Sequence, residues 1–395
     1  MKNKIIVLLV FVMSGITWAS TLNNVRVLGN EVSDTSTVRA FFRPKAKTAI
    51  SHEQLLAECE RSVTKMQNAQ WFYKANCMVV ESFKNPGQYN VFLDVEDGYR
   101  HRFWGGNAFG GYGMVNVGGL GWEYSVELGA NRQILEIQRF WSNWHPWQLR
   151  FKVGHFDTLA FLDMPSVHSD TTVNTAESRV AVGYDLGKDW NIWLELGWQK
   201  YWKIDAPSFI LNSTWSLIKD SRNHTYSPTA GQQFIFESTV FNAQKSYQFL
   251  GDLRHYYSPH PKITLALRAM GKRQEFPELQ ARLGLHYYDG VRSPAATELV
   301  GKWNFLTQGE IRWRAGDLSL LGLLNMSFEP LLFIDKGFAA QNYAQLKKLD
   351  LRTAEAGGLG LRIWFGAPVF VPLRLEYGWD RDKKGEFFLA LEKSF

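Results

Sequence analysis

The sequence predicts a transmembrane antiparallel β-barrel of about 16 strands, preceded by one small α+β domain with the order β-α-α-β-β. Three observations carry that prediction. From Arg100 onward the chain falls into segments of about 8 to 11 residues with apolar side chains at every second position, the length a tilted strand needs to cross a bilayer. Aromatic residues make up 15% of the 395 residues, with 16 Trp and 27 Phe, and such rings gather where lipid meets water. The chain also closes on EFFLALEKSF, in which Phe387, Leu389, Leu391 and Phe395 share one strand face that only Lys393 interrupts.

The first element is an export segment. Lys2 and Lys4 precede an apolar run from Ile5 to Met13, and Thr17-Trp18-Ala19 suits cleavage after Ala19. The run is much shorter than the roughly 20 apolar residues of a membrane-anchoring helix. Ser20 stands where a lipid-modified cysteine would be. Residues 1–19 are therefore expected to be a signal peptide, and the mean hydropathy of the whole chain, -0.24, with no later stretch of 18 apolar residues, argues against helical membrane spans.

Residues 20–98 follow a different rhythm. Asn23 to Asn30 reads as a strand and turn, and Thr35 to Phe42 as a short helix. Ser51 and Gln54 stand at capping-box spacing, and Leu55, Leu56, Cys59, Val63 and Met66 then give a helix one apolar face. Strands near Lys74 to Ser82 and Tyr89 to Glu96 flank the turn Asn85-Pro86-Gly87. Cys59 and Cys77 are the only cysteines. They read either as a disulfide, permitted in an oxidising compartment, or as two small buried apolar side chains; helix packing on strand favours the bridge.

Residues 99–395 form the expected barrel, with strands at about 100–107, 111–118, 121–130, 132–141, 147–156, 178–186, 190–200, 209–219, 232–238, 247–257, 263–270, 304–314, 330–338, 357–365, 372–379 and 386–395. In WNIWLELGWQK, Trp190, Ile192, Leu194, Leu196 and Trp198 fall on one face. In PLRLEYGW, Leu373, Leu375, Tyr377 and Trp379 oppose Arg374, Glu376 and Gly378, and in QGEIRWR, Glu310 and Arg312 oppose Ile311 and Trp313. The three longest gaps, 157–177, 271–303 and 339–356, all fall after odd strands, which puts them on one side of the membrane. The intervals 220–231 and 315–329 exceed a tight turn. Because a barrel has no free edge, its last strand must meet its first; the stripe ending at Phe395 is expected at that closing edge, facing lipid. A soluble all-β protein alternates too, but its core would then have to hold the charged set.

Four local matches give this architecture a family resemblance. Asp220 to Gly231, DSRNHTYSPTAG, resembles a periplasmic turn with Asp220, Arg222, Pro228 and Gly231 in place; Asp289 to Glu298, DGVRSPAATE, resembles the tip of a long sixth loop; FIDKG, Phe333 to Gly337, is similar to a Phe-x-Asp-x-Gly strand motif; and the closing strand resembles a C-terminal recognition signal. Together they resemble the POTRA-plus-barrel superfamily of outer-membrane assembly and secretion proteins, the BamA- and TamA-like group, in a short form with one POTRA domain. The resemblance implies that loop 271–303 folds into the lumen and that Arg292, beside Val291, pairs with acidic groups on the wall, Asp335 and Glu310 being the matches, near Phe333 and Gly337. The loop departs from the pattern at Ser293-Pro294, where a Gly and an aromatic are usual.

No enzyme is expected, nor any cofactor. The nine histidines lack metal-ligand spacing, and no GxSxG elbow or phosphate-binding loop occurs. The net charge of +6 comes with no basic run or nucleic-acid motif. The resemblance implies an outer-membrane location with the N-terminal domain in the periplasm, and partners that are the bilayer and unfolded or secreted client proteins, with room for periplasmic accessory proteins. The implied function is insertion or translocation of proteins, with client chains received by strand addition and a seam opening between first and last strands. Gly105, Gly106, Gly110, Gly111 and Gly113 would weaken that seam. The alternatives are a passive pore and a secretion pore for one dedicated partner.

Overall fold

The computed structural model describes residues 20–391 except 70, 99, 107–108, 131, 140–145, 165–166, 203–209, 226, 243–245, 276–278, 283–289, 294–298, 321–323 and 366–371. The export segment and Phe395 lie outside the described residues. The chain divides into two units whose main boundary falls between residues 98 and 99.

In the first unit, strands Thr21–Leu28, Phe72–Glu81 and Gln88–Asp97 form one sheet with the last of them in the middle, parallel to the first and antiparallel to the second. Helices Thr35–Arg39 and His52–Ala69 complete the β-α-α-β-β order. The capping box closes reciprocally: Ser51 Oγ accepts from Gln54 N–H at 3.2 Å, and Gln54 Oε1 accepts from Ser51 N–H at 3.1 Å. The buried helix face is Leu55, Cys59, Ser62 and Met66. This corrects the expected face, because Leu56 is exposed whereas Ser62 enters the core. The core tolerates that hydroxyl because it donates to Glu58 O at 2.7 Å and reaches Phe41 O at 3.1 Å. Cys59 and Cys77 are joined, their Cα atoms 5.3 Å apart. Closing this loop stabilises the unit by about 3 kcal/mol.

In the second unit, nineteen described strand segments follow one another round a closed barrel. Leu279–Arg282, Val300–Gly301 and Gly316–Leu320 are short additions to a loop or a strand, so sixteen staves make the wall. Each lies within a few residues of its expected span where the wall crosses the apolar band. Closure runs through Ala390 opposite Gly106 and Leu391 opposite Gly105.

Three expected loops are different in kind. Strands Trp147–Met164 and Val167–Gly187 stay paired as far as Met164 opposite Val167, so 157–177 is a long hairpin, not a loop. The described residues of interval 315–329 are mostly strand as well: Gly316–Leu320 prolongs Trp303–Trp313 after a one-residue bulge and pairs with Leu324–Ala340. Within 339–356 lies helix Tyr343–Lys348, capped by Asn342, whose Oδ1 accepts from Gln345 N–H at 2.9 Å.

The barrel is apolar outside and charged inside. Leu196, Leu332 and Ile334 are 60 to 68% exposed, whereas Arg312, Arg362 and Arg374 are 0 to 1% exposed. A soluble protein does not present a continuous apolar belt of this kind to water. This is the surface pattern of a lipid-facing barrel. Among the described residues no helix is long and apolar enough to cross a membrane.

Candidate functional site in the barrel lumen

Period two decides which side chains can meet in the lumen. Along Leu324–Ala340, Leu332 and Ile334 point outward, so Phe333, Asp335 and Gly337 point inward. Trp303–Trp313 is its neighbour, with Glu310 opposite Phe333, Gln308 opposite Asp335 and Leu306 opposite Gly337. Leu373–Trp379 contributes Arg374, Glu376 and Gly378 from further round the wall.

Into this patch comes the segment Gly290 to Ser293. Arg292 donates from Nε to Asp335 Oδ2 and from Nη2 to Asp335 Oδ1, both at 2.7 Å, and its backbone N–H adds a third bond to Oδ2 at 3.0 Å. Its Nη1 reaches Glu310 Oε1 at 2.6 Å and lies 3.5 Å from Glu376 Oε2. The guanidinium lies 3.7 Å from the centroid of the Phe333 ring. Fork geometry explains the choice of arginine: Asp335 takes two parallel donors, and another remains for Glu310.

The carboxylates are themselves shared. Glu310 also accepts from Arg312 Nε at 2.7 Å, and Arg374 hydrogen-bonds Glu376. Three guanidinium groups and three carboxylates therefore neutralise one another in a buried cluster, the condition under which buried charge is tolerated. Beside it, Gln308 Nε2 donates to Gly290 O at 3.0 Å, and Arg268 donates to Gln308 Oε1 at 3.2 Å.

Shape holds the loop as firmly as charge. A Cβ on Gly378 would lie 2.0 Å from Arg292 O, so only glycine lets the wall approach the loop backbone. A Cβ on Gly337 would meet Leu299 at 2.4 Å and Val291 at 2.7 Å. Val291, Leu299, Leu306 and Met270 form one apolar cluster around that point. Ser293 follows Arg292 where the resemblance implied a glycine, and the close approach of loop and wall is made at Gly378. Pro294 lies outside the described residues.

The structure thus brings Val291, Arg292, Glu310, Phe333, Asp335 and Gly337 to one place. Glu376, Arg374 and Gly378 belong there too and were not assigned to Arg292 from the sequence. Their signal was the inward alternation of PLRLEYGW, which gives a facing direction but not a partner.

The other motif residues lie elsewhere. In the 220–231 turn, Arg222 donates to Asp220 from Nε at 2.8 Å and from Nη2 at 2.7 Å, and Pro228 is buried. Gly231 has φ +100°, and a Cβ there would sit 2.3 Å from Ser221 O. Burial, then the nearby Arg222 and Arg362 cations, push the His224 imidazole of this turn down from its ordinary pKa. In the closing strand Phe387 and Leu389 are exposed; the side chain of Leu391, like Phe395, is not among those described. Two glycines of the first hairpin have a packing duty: a Cβ on Gly111 would sit 2.2 Å from the Trp104 indole, which donates to Glu127 Oε1 at 3.0 Å, and one on Gly113 would crowd the same ring at 3.1 Å, whereas Gly110 has open space beside it. They make a seat for Trp104, so weakness of the strand is not their sole role.

Chemically, this cluster is a lock. It fixes a loop inside the lumen, and among the described residues no group of side chains is placed to hold a metal ion. No protein-family model matches the chain, and no curated protein sequence matches it. Solved structures do. BamA from Haemophilus ducreyi lacking POTRA domains 1–3 is similar with a TM-score of 0.54 at 13% identity, over 95% of this chain and 84% of that one. CdiB from Escherichia coli gives 0.65 at 11% identity over 94% and 76%, and CdiB from Acinetobacter baumannii 0.60 at 13% over 94% and 73%. At these identities the likeness is one of fold.

Proposed function

We propose that the chain is an outer-membrane barrel that inserts or translocates other proteins, with residues 20–98 acting as a single periplasmic POTRA domain. The observation that carries this reading is a loop segment locked by Arg292 onto the inner wall of a sixteen-stave barrel whose fold is that of BamA and CdiB. A loop held in the lumen obstructs free diffusion, which is a poor design for a passive pore and a good one for a barrel that must stay closed until a client arrives. The edge strand Phe72–Glu81 offers its outer backbone for strand addition, with Met78 and Val80 exposed beside it. Nothing in this reading calls for an enzyme or a cofactor, and the export segment delivers the chain to the periplasm.

Insertion and secretion are both contained in the reading, and secretion of a dedicated partner is its second form. The test is to add a urea-unfolded small barrel protein to liposomes containing the purified chain. Insertion is expected to be faster than into empty liposomes, and conductance in planar bilayers is expected to be low and intermittent. No acceleration together with a large steady conductance would leave the passive-pore alternative standing.

A further inference from the structure

We infer that Arg273 binds the phosphate of an outer-leaflet glycolipid of the lipid A type. Along strand Ile263–Glu275 the even positions Thr264, Ala266, Arg268 and Met270 are buried in the lumen, so Arg273 shares the outward face with exposed Leu267. It stands opposite Trp303 on one neighbouring strand and Phe249 on the other. Its guanidinium carbon lies 4.4 Å from the Trp303 ring centroid and 5.1 Å from that of Tyr247.

Depth comes from Trp303–Trp313, whose two end tryptophans face outward. Ten residues of strand rise about 34 Å, which at a tilt of about 40° is about 26 Å of depth, close to the roughly 25 Å apolar band of an outer-membrane barrel. Trp303 and Trp313 therefore mark the two interfaces. Arg273 is level with Trp303, on the side from which the Arg292 loop enters, and that is the outer surface under the function proposed above, on which this inference rests.

The neighbouring outward cations already have carboxylates. Lys302 Nζ lies 2.7 Å from Glu275, Lys336 2.5 Å from Glu355, and Arg381 2.7 Å from Glu355. Among the described residues Arg273 has its two rings and no carboxylate, and its buried Nε has no hydrogen-bond partner. A cation seated between two aromatic rings at headgroup depth, with no carboxylate among the described residues, fits an anionic oxygen fork supplied by lipid, and phosphate matches a guanidinium in charge and geometry.

The experiment uses the full chain in detergent, folding checked by heat-modifiable migration, and native mass spectrometry to count bound lipid. Lipid A is expected to bind, whereas fully dephosphorylated lipid A binds at least about ten-fold more weakly, the loss of one charge-assisted hydrogen-bonded pair. Arg273→Gln should abolish the difference between the two lipids, and Lys336→Gln, which removes an already paired cation, should leave it intact. Equal binding of both lipids, unchanged binding by Arg273→Gln, or competition by phosphatidylglycerol or inorganic phosphate at equal strength would overturn the assignment. If the Lys347→Cys variant is labelled only from the periplasmic side, the orientation has failed and with it the function proposed above, separately from the chemistry of Arg273.

Discussion

Arg292→Glu is expected to expel the loop from the lumen. The substitution removes three hydrogen bonds to Asp335 and Glu310 made by the side chain and puts a fourth carboxylate beside Asp335, Glu310 and Glu376. Removing one partner of a buried pair typically costs about 3 to 5 kcal/mol, and a like charge adds to that. The wall itself should remain, because its pairing does not depend on the loop. Protease should cut within 271–303 far faster than in the wild type, and planar-bilayer conductance should rise and become steady. Arg292→Glu combined with Asp335→Arg should recover part of the protection, since residues in direct contact couple and independent ones do not. Unchanged protection and conductance in the single variant would mean that the ion cluster does not hold the loop.

Gly378→Val should produce the same release with every charge kept. The new Cβ would fall 2.0 Å from Arg292 O, and both partners in the clash are backbone. Neither the strand nor a loop tied by three bonds to Asp335 can shift far enough, so the loop must leave or the strand must distort. Gly337→Ala should be milder, since its clashes are with the side-chain ends of Leu299 and Val291. The order of protease sensitivity is therefore expected to be Gly378→Val above Gly337→Ala above wild type. Equal protection of all three would contradict the close approach of loop and wall.

Much of this was legible because a lipid-facing strand writes its orientation into every second residue. Leu194, Leu196, Ile311 and Leu359 are all more than half exposed, as their alternation required, and the staves were located from that signal. Trp147–Met164 and Val167–Gly187 continue as one paired hairpin, in which Leu159, Ala160, Phe161 and Leu162 run consecutively apolar and the facing His168 to Thr172 are polar, so no clean alternation marks the outer halves and they read as loop. The bulge after Trp313 shifts the alternation by one and hid the strand that follows. In the site, the loop arginine and the Phe333, Asp335, Gly337 face were visible through a motif. Glu376 and Gly378 were not, because period two says that a side chain points inward and is silent about which loop atom waits there. Ser62 shows the same limit in the first unit: a hydroxyl is polar by composition, yet it is buried once its proton goes to a main-chain carbonyl, here Glu58 O with Phe41 O also within reach.

Under the proposed function, client chains pass where the barrel opens between its last strand and its first. Ala390 and Gly106 are directly opposed across that closure, so cysteines at both positions can be joined and released with a reductant. The decisive measurement is the rate at which liposomes carrying this double-cysteine protein insert a urea-unfolded barrel protein, before and after reduction, with wild-type protein treated alike because Cys59 and Cys77 are also joined. Insertion is expected to fall to the empty-liposome rate when the seam is locked and to return on reduction. A locked barrel that inserts its client as fast as the reduced one would contradict the account.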